Sequence, residues 1–213
     1  MNRKIGLIAS IVMSCAVAIF LICLIIALFT QNAFTENLSY GVCAVLSWAY
    51  VAAACVYVCY AQQERSAAAR IGVAVGVIYS VIISIVYYTQ LTTVLHKSAD
   101  EKILQALSFT ASGSWTFNLD LLGYGLLAVS TFFVGLSLQA ETKIDKALKI
   151  LLTLHGVFFV CMLVPILPLP ATNQGKGGTV ALICWCAYFL PICVLSSLHF
   201  AKLDGVDSLR QST

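Results

Sequence analysis

Residues 5–29 read IGLIASIVMSCAVAIFLICLIIALF, an unbroken run without a single charged side chain. Lipid offers no partners to backbone N–H and C=O groups, so such a run can cross a membrane only as a helix, and a hydrocarbon core about 30 Å thick takes about 20 residues in that form. This segment is long enough. Arg3 and Lys4 precede it, as basic residues precede a cleavable signal. A signal's apolar stretch, however, is only about 7–15 residues long, and no small-x-small cleavage site follows, so the run reads as a retained anchor.

Working outward, five further segments meet the same criterion or approach it: residues 40–60, 71–94, 117–138, 150–168 and 179–200. The expected fold is all-α, a polytopic bundle of six transmembrane helices that forms one transmembrane domain over residues 1–213. Composition agrees, with 61% hydrophobic residues, 10% charged and a mean hydropathy of +0.95. A soluble domain carries about 25% charged residues to keep its surface in water. The six spans hold one charged residue, Asp120, and every other charge lies outside them.

Lys and Arg accumulate on the cytoplasmic side of membrane proteins. With both termini inside, Arg3, Lys4, Arg65, Arg70, Lys143, Lys146, Lys149, Lys202 and Arg210 fall there, and only Lys97, Lys102 and Lys176 fall outside. The expectation is N-in and C-in, in a cell membrane. Topology signalling accounts for the net charge of +3, and no nucleic-acid partner is implied.

Connections are short except that between the third and fourth spans. There Ser98-Ala-Asp-Glu101 has the form of a capping box, followed by Ile103, Leu104 and Leu107 at helical spacing. A short amphipathic surface helix is expected, with Trp115 at the interface. Three spans, a longer loop and three spans suggest inverted repeats. The prolines of spans five and six have no counterparts in spans two and three, which speaks against them.

All nine cysteines lie within spans, none as CxxC, so disulfides, thiol redox chemistry and a metal site are not expected. Cys43, Ser47, Val51, Cys55 and Cys59 recur every four residues, and Gly72, Gly76, Ser80 and Ser84 form a matching small-residue stripe. Such stripes let helix backbones approach closely in lipid. They predict tight packing of spans two and three with each other or with another membrane protein or copy.

Ionisable groups inside a membrane are costly and default to functional candidates. Asp120 stands near the start of span four beside Asn118, with Tyr124 one turn later. Span three ends at the same depth with Tyr87 and Gln90. These five residues form a candidate ligand or transport site open to the outside. An acid near a helix start is also stabilised by free N–H groups and the helix dipole, a purely structural alternative. His155, deeper in span five, is a candidate proton relay or a cross-helix hydrogen-bond donor, about 20 Å from Asp120 along the membrane normal by helix rise. His199 is expected at the interface. Pro191 should disturb span six near the carbonyl of Ala187, and Pro165, Pro168 and Pro170 should end span five before the Gly175–Gly178 loop.

No HExxH, Gly-x-Ser-x-Gly or intramembrane carboxylate pair is present, and Ser112-Gly113-Ser114 has no histidine at its depth. No catalytic residue and no cofactor is therefore assigned. The stretch SWTFNLDLLGYGLLAVSTFFVGLSL (114–138) and Leu154-His-Gly-Val-Phe-Phe159 resemble segments of uncharacterised multi-pass proteins of the bacterial cytoplasmic membrane. The resemblance implies residence there and no activity. Three functions stay open: transport or sensing of a small molecule or ion through the outer polar cluster, an interaction subunit working through the small-residue faces, and a membrane enzyme.

Overall fold

The computed structural model describes residues 1–30, 32–109, 114–166 and 176–203. Ser112, Gly113, Pro168, Pro170, Gly175 and Arg210 lie outside these residues. Six helical segments are long and apolar enough to cross a membrane. They are α1 (Asn2–Phe29), α2 (Ala33–Tyr60), α3 (Ser66–Thr89) with its extension, α5 (Trp115–Ser137), α6 (Lys143–His155) with its extension, and α7 (Lys176–Lys202). Between α3 and α5 lies the short α4 (Glu101–Leu107).

The spans pack as a closed ring in chain order. Each touches its predecessor, and α7 returns to α1, where a Cβ on Gly6 would come within 2.9 Å of the Phe200 ring. Tyr79, Ile83, Leu127, Phe189 and Ile192 fill the centre, while Ile8, Ile22, Trp48 and Val81 face outward. An outward apolar face of this kind is what a helix that crosses a membrane presents to lipid.

Two helices leave regular geometry, each beside a residue of interest. The extension of α3, Gln90–Val94, is a π-turn. The extension of α6, Gly156–Leu163, is a 3₁₀ segment, and it begins directly after His155. The helix itself starts earlier than the apolar run that announces it. Thr142 and Asp145 form a capping box, with Asp145 N–H donating to Thr142 Oγ1 at 3.2 Å and Thr142 N–H donating to Asp145 Oδ2 at 2.9 Å. Asp145, Leu148, Leu152 and His155 then share its buried face.

The box expected at Ser98 does not form. Lys97 takes a left-handed conformation (φ 48°), the Ser98 hydroxyl turns back to the carbonyl of Thr93, and α4 starts after Asp100 without a side-chain cap. Trp115 is exposed at the head of α5, as expected of an interfacial residue. Helix α7 runs continuously through Pro191.

The small-residue stripes change partner along their length, because steps of four residues advance 400° and so drift about 40° each. A Cβ on Gly72 would meet Val134 Cγ2 at 2.9 Å, and one on Gly76 would meet Ser130 Oγ at 2.9 Å, so the glycines face α5. Ser80 donates to Ser47 Oγ (3.3 Å) and Ser84 accepts from Trp48 Nε1 (2.9 Å), so the serines face α2. On α2 the same drift buries Cys43 and Ser47 but leaves Cys55 and Cys59 exposed. All nine cysteines are free thiols.

Candidate functional site

Helix α5 begins at Trp115, capped by Ser114 Oγ, which accepts from Phe117 N–H at 3.2 Å. Asp120 therefore sits in the second turn, beyond the free N–H groups that could have stabilised it as a cap. It is only 4% exposed, and its Oδ1 is buried without a hydrogen-bond partner. The Tyr87 hydroxyl of α3 is turned to the carboxylate. Tyr87 Oη lies 3.3 Å from Tyr124 Oη, and Tyr124 donates to Cys43 Sγ at 3.6 Å. Asp120, Tyr87 and Tyr124 thus come together as the sequence suggested, and Cys43 of α2 joins them.

The other two members of the expected cluster do not join it. Asn118 is half-buried and two residues from Asp120, about 200° round the helix. Gln90 opens the π-turn, buried, and holds the chain leading into α5. Its Nε2 donates to the Leu107 carbonyl (2.7 Å), and its Oε1 accepts from Phe109 N–H (3.2 Å). Thr116 Oγ1 donates to the same Leu107 carbonyl (2.7 Å). This clamp seats the Phe109 ring against Tyr40, Tyr87 and Phe117, with centroids 6.0, 6.4 and 5.6 Å away.

Below Tyr124 the Trp185 ring meets it edge-on at 5.0 Å. Trp185 Nε1, which can only donate, gives its hydrogen to His155 Nε2 at 3.1 Å. His155 Nε2 is therefore the acceptor and Nδ1 carries the proton, which points to Thr131 Oγ1 at 2.7 Å. Thr131 passes its own hydrogen to the Ala128 carbonyl at 2.9 Å. Both imidazole nitrogens are occupied. Sequence spacing names no intermediates between Asp120 and His155; in the fold, Tyr124 and Trp185 stand between them.

A second buried pair was not legible as a site. His199, expected at the interface, is only 8% exposed, and its Nδ1 donates to Asp145 Oδ1 at 2.7 Å. Tyr57 stacks on it at 5.7 Å and donates to Ser196 Oγ at 2.9 Å. The only available signal was Thr142-x-x-Asp145, which placed the aspartate at a helix start but not against α7. Among the described residues, no group of His, Cys, Asp and Glu is arranged to hold a metal ion.

Fold and site together describe a ring of six helices, each long and apolar enough to cross a membrane, that encloses a buried carboxylate. Comparison with known proteins finds no matching family model, no matching curated protein and no matching solved structure.

Proposed function

We propose that the chain transports or senses a small molecule or ion through the interior cluster of Asp120, Tyr87 and Tyr124. One observation carries this reading: the unpartnered Oδ1 of a buried aspartate. A carboxylate removed from water costs several kcal/mol, of order 2–7 even for an unpartnered neutral polar group, so a fold tolerates one where something else completes it. The cluster lies at the end of the bundle where α4 crosses. By the distribution of Lys and Arg, we take that end as extracellular and both termini as cytoplasmic, in a cell membrane.

An interaction subunit is the weaker reading. It would present the Gly72–Ser84 face to a partner, and α5 already covers both glycines.

The test is reconstitution in sealed vesicles loaded with the pH dye pyranine, challenged with imposed proton gradients and a panel of ammonium ions, metal cations, amino acids and sugars. At least one solute should give a wild-type response that Asp120→Asn removes while the variant keeps its thermal unfolding midpoint. Equal responses of wild type and Asp120→Asn across the panel would sink the reading.

A further inference from the structure

We propose that the Asp120 cluster is a binding site for an organic ammonium ion, reached by displacement of Phe109. The inference rests on the transport-or-sensing reading and names its ligand class. Among the described residues, two buried oxygen atoms lack partners, and both belong to side chains next to Tyr124. Asp120 Oδ1 is one; Tyr79 Oη is the other, on a fully buried side chain whose ring lies 6.0 Å from that of Tyr124. Buried polar atoms are nearly always paired, so two orphans in one cluster mark a place where a ligand's own hydrogens belong.

The surroundings select the kind of ligand. No ion pair is formed with Asp120 among the described residues, and the titratable groups near enough to feel its charge are themselves uncharged: Tyr87 and Tyr79 from α3, Tyr40 and Cys43 from α2, Cys161 from the 3₁₀ segment and Tyr124 on its own helix. A carboxyl buried without a cation holds its own proton, and an incoming ammonium ion supplies the positive charge in the proton's place. A metal ion such as Ca²⁺ asks for about six to eight oxygen ligands, and this cluster offers one carboxylate and tyrosine hydroxyls. Aromatic faces, by contrast, attract an organic cation through their quadrupoles, by about 0.5–2 kcal/mol per well-placed ring. An ammonium group can donate to Oδ1 while its carbon body lies among Tyr40, Tyr87 and Tyr124. Tyr79 Oη is the second acceptor.

Phe109 supplies the entrance. It comes from the chain between α4 and α5, is held by the Gln90 amide, and occupies with its own ring a place against Tyr40, Tyr87 and Phe117. A ligand carrying a phenyl group could take that place. Phenethylammonium joins the two features, a ring and an ammonium, and is the probe of choice.

The experiment uses the full-length chain in nanodiscs, with Trp48→Phe and Trp115→Phe so that Trp185, in edge contact with Tyr124, is the only emitter. Phenethylammonium chloride is titrated beside phenethyl alcohol and phenylacetate, which share the ring. The expected result is a saturable change in Trp185 emission for the ammonium ion, at least tenfold weaker for the alcohol and absent for the carboxylate. Asp120→Asn should weaken binding at least tenfold, and Phe109→Ala, which leaves the carboxylate in place, should speed association. Equal binding of alcohol and ammonium, undiminished binding to Asp120→Asn, or no binding to the unsubstituted site overturns the ligand assignment; in the last case a proton or a buried water is what completes Oδ1. If the probe fails while another solute in the vesicle panel still depends on Asp120, only this inference falls. If nothing depends on Asp120, both fall.

Discussion

Replacing Gly135 by alanine gives a sharp test of how α5 and α6 are held together. A Cβ there would lie 2.7 Å from Thr153 Oγ1, 2.9 Å from Thr153 N and 3.0 Å from Leu152 Cβ. Non-bonded atoms prefer about 3.5–4.0 Å, so the neighbour must withdraw by several tenths of an ångström. A backbone nitrogen cannot swing aside as a side-chain tip can. Helix α6 must move as a body, although Thr142 and Asp145 cap its start and Lys149 Nζ donates to the Leu138 carbonyl at 3.1 Å. Overpacking of this kind costs about 1–3 kcal/mol. Alanine also favours a helix over glycine by about 0.5–1 kcal/mol, which offsets part of the loss.

Gly41→Ala isolates the offset, since nothing lies within 4 Å of its Cβ position. Gly41→Ala should stabilise by up to about 1 kcal/mol. Gly135→Ala should lie about 1–3 kcal/mol below it, the overpacking term alone. SDS titration in mixed micelles, read by helical circular dichroism, measures both. Thr153 is two residues from His155 and Gly135 one turn from Thr131, so Gly135→Ala should also loosen the His155–Thr131 hydrogen bond, visible as faster exchange of the imidazole proton by NMR. Changes of the same sign and size in the two variants would refute the close approach of α5 to α6.

Two further expectations concern the terminal end of the ring and the thiols. Asp145→Ala deprives His199 Nδ1 and the Thr142 backbone N–H of their acceptor, and hydrogen bonds to a charged group contribute about 1.5–3 kcal/mol each. Destabilisation of at least about 1.5 kcal/mol is expected in the same SDS titration, and a loss below a third of that would show that α6 and α7 do not depend on the pair. In native micelles Cys43, Cys186 and Cys193, buried between packed helices, should react with N-ethylmaleimide only on unfolding, as peptide mass spectrometry can follow. Early labelling of Cys43 would contradict its burial against Tyr124.

The amino-acid sequence by itself determined that six helices are long and apolar enough to cross a membrane, because run length and the absence of charge depend on no neighbour. It also singled out Asp120, the one charge within a span, and Tyr124, which helical periodicity places on the same face. Tertiary packing decided the rest. Gln90 and Asp120 stand at similar depth, yet the π-turn directs Gln90 to the chain around Phe109, and depth alone carries no information about direction around a helix. His199 and Asp145 meet across 54 positions of sequence only because α6 and α7 are neighbours in the ring. Nothing in the sequence marks Tyr79; the fold buries its hydroxyl without a partner and sets its ring 6.0 Å from that of Tyr124. Periodicity fixes the face a residue occupies on its own helix. Which groups meet that face depends on the order and rotation of the other helices, and those follow from contacts between residues far apart in the chain.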